Sequence, residues 1–560
     1  MKILLIASLF NSLTQRIFCE CRDAGHKVSV VLATSDNAML DEVQRFVPEI
    51  IIAPYLTKFI PATIYENFPT FIVHPGIIGD RGPHSLDHAV LEQKREWGVT
   101  LIKANGEIDG GDVYGEVNFS VRDGSKGSLY RRELSAAASQ AIKNLLERFQ
   151  NNTLISKPQR NTPLHVLLSQ SKRAIDWQND STDSIIRKIN AADGYPGVLD
   201  IFFDKELYLF GATKEAFVLT SMQEAALHVK IKDIFAKRDG AICIKTKDGA
   251  VWVSHLKEKG LFKLPATYVL KSAIQGIKEQ RIPLMMEAQR NGFEEIRLEI
   301  KGEVAYLYFN FYNGAFSAQQ AIRLKYAIES LEERCKVLVL MGGDDFFSNG
   351  INLNILEDSK KQGEDGWSSI NAMNDLVRMV LLSDAFLTVA ALRGNAGAGG
   401  VFLALACDYV VAREGIVLNP HYKTIGLSGS EFHTYTLPKR VGKIKAKELL
   451  EEAFPFSAVE AKRIDMIDEL FSGEDKHFQK ELESFTQTLV IDEDEWYNVL
   501  DEKRERVEED AELIHELHQK ELAVMYPEFW EESSPFHKLR REFVYKVCPI
   551  STPKRLQYHA

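Results

Sequence analysis

Four short apolar runs, "KILLIAS", "KVSVVLAT", "EIIIAP" and "TFIVH", occupy the first 74 residues, separated by polar stretches of helical period such as "LTQRIFCECRDAG" and Asn37 to Phe46. Runs that are apolar throughout bury both faces, and strands joined through helices run parallel. The pattern therefore predicts βαβ units and a mostly parallel sheet. Sheets of this kind place their ligands at the carboxyl ends of strands. That directs attention to "VHPGIIGDRGPHS", the loop entered from the fourth run. No G-x-G-x-x-G follows the first run, so a dinucleotide fingerprint is absent.

A chain of 560 residues is too long for one ordinary core. Changes of pattern divide it into an α/β segment at 1–155, a small β-barrel at 156–262, a helical linker at 263–292, a second α/β section at 293–475 and a helical tail at 476–560. The fold class expected is α/β multidomain. Charge runs in the tail, "DEKRERVEEDAELIHELHQKELAVMY", read as solvated helix faces.

With 68 Lys plus Arg against 79 Asp plus Glu, the net charge is −11, which excludes a general affinity for nucleic-acid phosphates. Six cysteines in so long a chain form no disulfide framework and indicate a reducing compartment. Cys19 and Cys21, two apart on a helix, point to different faces, so no shared metal is expected. The opening "MKILLIAS" is too short an apolar run for a signal peptide or a membrane span, and a cytoplasmic location is expected.

His74 sits in the Pro/Gly-rich loop, and a histidine paired with a carboxylate is a common way to build a general base near neutral pH. The stretches "PEIIIAPYLTKFIP", "VHPGIIGDRGPHS" and "WGVTLIKANGEIDGGDVYGEV" resemble, in order and spacing, the formyltransferase domain of methionyl-tRNA formyltransferase and formyltetrahydrofolate dehydrogenase. "SKRAIDWQNDSTDSIIRKINAADGYPG" resembles the start of the barrel-like domain appended to those enzymes. The resemblance implies 10-formyltetrahydrofolate as substrate and a site of Asn, His and Asp. His74 and Asp109 match the last two, whereas the Asn position is Ile72. An oxyanion donor is therefore missing, a loss of about 3 to 4 kcal/mol in a transition state. Either the domain is impaired or its reaction differs from transfer to an amine.

Glycines 394, 397, 399 and 400 precede an apolar helical run in "RGNAGAGGVFLALACD", where free backbone N–H groups suit a negative oxygen. With "KVLVLMGGDDFFSNGINL" and "LPKRVGKIKAKELL", this segment resembles the crotonase family, the enoyl-CoA hydratase/isomerase superfamily. The resemblance implies an acyl-coenzyme A ligand whose carbonyl is held by the amides of Ile351 and Gly399. The two hydratase glutamates fall on Phe402 and Tyr422, so ordinary hydration lacks both its groups. Tyr422 and Glu431, nine residues apart, are the candidate proton carriers in their place.

A formyl-group domain joined to an acyl-CoA domain implies formyl-CoA as a shared species, with the coenzyme A thiol as nucleophile. A formyl thioester has no α-carbon, which excludes enolate chemistry. Loss of the formyl proton with thiolate departure yields carbon monoxide; hydrolysis to formate is the alternative, and a non-catalytic carrier of folate and coenzyme A is a third. This fusion and the stretch "GSEFHTY" resemble a family of hydrogenase maturation proteins that make carbon monoxide for the iron of [NiFe] hydrogenase, which implies maturation proteins as partners. Candidates for the phosphates of coenzyme A are Gln15, Arg16, Arg131, Arg132, Arg540 and Arg541.

Overall fold

The structure is a computed structural model that describes residues 1–560 apart from 161, 218, 286–291 and 559–560. The chain forms two compact units, residues 1–294 with 548–560, and residues 295–547.

In the first unit, strands β1 (Lys2–Ala7), β2 (Lys27–Leu32), β3 (Ile50–Ala53), β4 (Thr70–His74), β5 (Glu96–Lys103) and β6 (Val113–Ser120) form one sheet, ordered β2-β1-β3-β4-β5-β6. The first four run parallel, as the sequence pattern predicts; β5 runs antiparallel to β4, and β6 antiparallel to β5. Residues 104–112 between β5 and β6 hold no crossover helix, and so short a link cannot return a strand in parallel. Ile3 to Ala7 are wholly buried. The helices Ser12–Asp23 and Asp36–Phe46 start at Asn11 and Ser35, whose side chains accept from the backbone N–H groups of Thr14 and Ala38. β4 ends at His74, so the ring leaves the sheet at a carboxyl end. Ile72, two residues earlier on the same face, packs against the cluster containing Leu4, Ile6, Met39, Val43 and Ile51.

A second sheet joins β7 (Val198–Phe202), β8 (Lys205–Lys214), β9 (Ile234–Arg238), β10 (Ala241–Lys245), β11 (Ala250–Glu258) and β12 (Leu264–Pro265), all antiparallel, in the order β7-β8-β11-β10-β9 with β12 on β11. Alternate residues bury opposite faces: Ile242, Val251 and Val253 pack on Ile185 and Ile189, while Cys243 and Trp252 pack on Met222 and Ala226. Among the described residues of the connector, helix is confined to Ala266–Leu270 and a 3-10 turn at Lys271–Ile274. The expected helix over 263–292 is thus corrected: Gly276 and Pro283 are poor helix formers, and residues 286–291 of that segment lie outside the described residues.

Strands β13 (Ile296–Lys301), β14 (Val304–Phe309), β15 (Val337–Gly342), β16 (Phe346–Ser348), β17 (Leu387–Leu392), β18 (Asn395–Gly397), β19 (Tyr409–Arg413), β20 (Val417–Asn419), β21 (Phe456–Ser457) and β22 (Glu469–Phe471) build the second unit. They form two sheets, ordered β13-β14-β15-β17-β19-β22 and β16-β18-β20-β21, between which the chain alternates from β15 to β20. The tail helices Asp475–Ile491 and Glu493–Trp530 are more than solvated faces. Phe478, Leu482, Trp496 and Leu500 close the core over Val304, Val337, Val339 and Val389, and buried Lys503 pairs with Asp408 at 2.8 Å. Helix ends at Val544, and with Pro549 and Pro553 in the chain the last residues turn to the first unit, where Thr552 Oγ1 accepts from Leu32 N–H and Tyr558 N–H donates to Ser29.

Candidate functional site

His74 is 3% exposed and lies between two carboxylates. Its Nε2 donates to Asp80 Oδ2 at 2.7 Å, and Nδ1 stands 3.5 Å from Asp109 Oδ1. Asp109 adopts φ 47°, a left-handed turn in "DGGD" that aims its carboxylate back at the ring and lets Oδ2 accept from Gly82 N–H at 3.0 Å. The loop between His74 and Asp80 is tied by its own carbonyls. Trp97 Nε1 donates to Pro75 O at 2.8 Å, and Thr100 Oγ1 donates to Gly76 O at 2.6 Å. Asp80, six residues beyond His74 in "GDRG", is the site residue that spacing left unnoticed.

Burial by itself depresses the His74 pKa, but hydrogen bonds and charge from Asp109 and Asp80 outweigh it and hold the ring at about 9. At neutral pH the ring rests as an imidazolium, which donates protons and stabilises negative oxygen. Both carboxyls are correspondingly held low: burial opposes this, and the His74 partner overcomes it.

Gln15 turns its amide onto Phe10 O at 2.9 Å, and Arg16 pairs with Glu20 at 2.7 Å. Arg131 and Arg132 lie in a π-helical turn, Tyr130–Leu134. Arg540 is 3% exposed, with Nε 2.9 Å from Glu357 Oε2 and Nη2 2.5 Å from Gln362 Oε1, while exposed Arg541 stands 3.4 Å from Glu357 Oε1.

In the second unit, the amides of Ile351 and Gly399 donate to no protein acceptor among the described residues, although Ile351 bridges to Phe316 and Gly399 opens a helix. A Cβ at Gly399 would fall 2.5 Å from Glu431 Oε1, so the carboxylate stands over Gly399 and a side chain there would displace it. Tyr422 donates its hydroxyl to Glu431 Oε2 at 2.7 Å, and Ser430 Oγ donates to the same oxygen at 2.9 Å. Phe402 stacks on Tyr422, with ring centroids 5.6 Å apart and His433 across both. This apolar packing excludes water from a carboxyl that is 1% exposed. Burial pushes the Glu431 carboxyl above the ordinary range, with the Tyr422 and Ser430 bonds opposing, and burial likewise raises Tyr422.

Glu431 and Phe432 both take φ 59°, a strained pair for non-glycine residues. The long helix Glu493–Trp530 holds that turn through buried Glu521, which accepts from Phe432 N–H at 3.0 Å and Thr434 N–H at 2.8 Å and lies 3.1 Å from His433 Nδ1. Asn374 Oδ1 accepts from Glu431 N–H at 2.7 Å. Neither Glu521 nor Asn374 carries a motif, and each is remote in sequence from Glu431. Glu521→Ala leaves two backbone donors without their acceptor and takes the carboxylate partner from His433. A loss of about 3 kcal/mol in denaturant unfolding is expected, and an unchanged midpoint would remove Glu521 from this role.

The two units define a class: a formyltransferase joined in one chain to an enoyl-CoA hydratase/isomerase. Family models agree, with "Formyl transferase" over residues 33–145, "Formyl transferase, C-terminal domain" over 167–273 and "Enoyl-CoA hydratase/isomerase" over 299–532. The chain is 36% identical to the hydrogenase maturation factor HoxX of Bradyrhizobium diazoefficiens, over all of this chain and 97% of that one. It superposes with a TM-score of 0.95, at 38% identity, on a crystal structure of HypX from Aquifex aeolicus in complex with tetrahydrofolic acid, covering 100% of this chain and 98% of that one. A methionyl-tRNA formyltransferase of Fervidobacterium nodosum is 24% identical over 40% of this chain and 71% of that enzyme. The chain belongs to the HypX/HoxX family of hydrogenase maturation factors. Among the described residues no helix is long and apolar enough to cross a membrane.

Proposed function

We propose that the chain makes carbon monoxide in two steps: formyl transfer from 10-formyltetrahydrofolate to coenzyme A at His74 and Asp109, then decarbonylation of formyl-CoA at Glu431 and Tyr422. In the first step the thiol sulfur bonds to the formyl carbon, the imidazolium of His74 faces the developing oxyanion, and the bond to folate N10 breaks. The proton lost by the thiol equals the proton gained by N10, and the Asp109/His74 pair carries it. A charged His74 supplies part of what the family's Asn supplies elsewhere. Ile72→Asn is then expected to speed formyl-folate consumption about tenfold, part of what one oxyanion donor is worth, at a loss in thermal stability from an amide set against an apolar cluster. An unchanged rate would mean the Ile72 position has no bearing on the chemistry.

In the second step the amides of Ile351 and Gly399 hold the formyl oxygen and Glu431 takes the formyl proton. The C–S electrons leave with sulfur, carbon monoxide departs, and the proton returns through the Glu431/Tyr422 pair to the thiolate. The observation that carries this reading is the Glu431 carboxylate standing over Gly399 in an apolar box. Carbon monoxide would serve the iron of [NiFe] hydrogenase through maturation partners, a destination supported by the names of the relatives. The test supplies labelled formyl-folate and coenzyme A and traps gas on deoxyhaemoglobin. Labelled carbon monoxide is the expected product, and labelled formate alone would overturn the decarbonylation.

A further inference from the structure

Gln159, Thr162, His165 and Leu168 stand near the start of the segment read from the sequence as the small barrel, yet in the structure they strap the loop that carries the formyl-transfer chemistry. Gln159 accepts from Gly79 N–H at 3.0 Å and donates Nε2 to Asp109 O at 3.2 Å. Thr162 Oγ1 donates to Gly79 O, His165 N–H donates to Arg81 O at 2.8 Å, and Leu168 N–H donates to His84 Nδ1 at 3.1 Å. One strap residue does more than tie backbone. His165 Nε2 donates to Asp80 Oδ1 at 2.6 Å, while Asp80 Oδ2 holds His74 Nε2 at 2.7 Å. A single carboxylate is thus shared by two imidazoles.

The burial of the three groups is graded: the side chains of His74 and Asp80 are 3% and 2% exposed and that of His165 is 32% exposed. On the other side of His74 the Asp109 contact is loose, at 3.5 Å with the carboxylate 17% exposed, which leaves Nδ1 as the edge a reacting group can approach. Asp80 and His165 therefore form the back of the site. The ring of His165 stacks on His88 at 4.3 Å, and His88 Nδ1 stands 3.5 Å from Glu92. The charges facing the cluster are Asp80, Asp109, His88 with Glu92, and Arg81, whose guanidinium is engaged by Ile108 O and Glu107.

We propose that His165 is a positioning residue for formyl transfer: through Asp80 it sets the orientation and charge of His74. This rests on the reading of His74 as the reacting group. The carboxyl of Asp80 is held below its usual range; burial works against this, and the rings of His74 and His165 work for it. Removing the His165 ring leaves Asp80 to His74 alone, which strengthens the hold on the imidazolium and moves its titration upward.

The test measures tetrahydrofolate release from formyl-folate with and without coenzyme A, across pH, for the wild type, His165→Ala and His165→Gln. His165→Ala is expected to lower kcat on the order of tenfold, part of the range for general acid–base groups, with KM for the folate little changed and the His74-controlled limb of the pH profile shifted to higher pH. His165→Gln keeps a neutral donor near the Nε2 position and is expected to recover most of kcat while the limb stays shifted. An unchanged kcat and profile in both variants, or equal losses in both with no shift of the limb, would overturn the proposal, the second leaving only a structural strap. Wild-type release that is independent of coenzyme A would instead overturn the thiol acceptor, with the His165 comparison still readable on the released folate.

Discussion

Glu431→Gln is expected to lower carbon monoxide release from supplied formyl-CoA on the order of 10³-fold, within the range for loss of a general base. Glutamine keeps the length and shape of the side chain and its contact with Tyr422, so the turn held by Glu521 and Asn374 stays in place. What disappears is the ability to take a proton. The same variant is expected to consume formyl-folate at the wild-type rate in the presence of coenzyme A, because His74 and Asp109 are untouched. Because burial raises the Glu431 carboxyl, the acid limb of carbon monoxide release in the wild type should lie above the ordinary carboxylate range. Gas trapping on deoxyhaemoglobin across pH reads both effects, and a Gln variant with undiminished release would remove Glu431 from the reaction.

His74→Ala is expected to lower formyl-folate consumption at least 10²-fold while leaving carbon monoxide release from supplied formyl-CoA intact. The reciprocal pair of variants separates the two steps without dissecting the chain. His74 also marks stability. Its folded pKa is raised from 6.5 to about 9, so the paired imidazolium contributes stability that is full below pH 6.5 and is lost as pH climbs through about 9. Thermal unfolding of the first unit should fall over that window in the wild type and less steeply in His74→Ala. A wild-type profile flat between those values would show that the ring is not held charged.

The α/β architecture of the first segment was legible because Ile3 to Ala7, Val30 to Leu32 and Ile50 to Ala53 are continuous apolar runs, as strands buried on both faces require. His74 stood out because it ends such a run and enters a Gly/Pro loop, and Tyr422 with Glu431 through the resemblance to the crotonase family, where Tyr422 takes the position of a hydratase glutamate. The break in the connector was readable in principle from Gly276 and Pro283. The tail misled because a helix of 38 residues with acidic and basic runs hides one buried stripe, Trp496, Leu500, Lys503, Ile514, Glu521, Met525 and Phe529, inside a charged average.

By itself the sequence indicated which segments form strands and helices and which families they resemble, and through that resemblance it singled out His74, Tyr422 and Glu431 as candidates. Strands and helices depend on periodicity and family motifs on local spacing, and both survive in a one-dimensional reading. Only the tertiary structure decided that Asp80 is shared by His74 and His165, that Glu521 holds the Glu431 turn, and that Arg540 is buried against Glu357. Those pairs are joined by hydrogen bonds a few ångströms long between groups as far as 183 residues apart in the chain. The protonation states follow from the same source, because burial and neighbouring charge exist only once the chain has closed around each group.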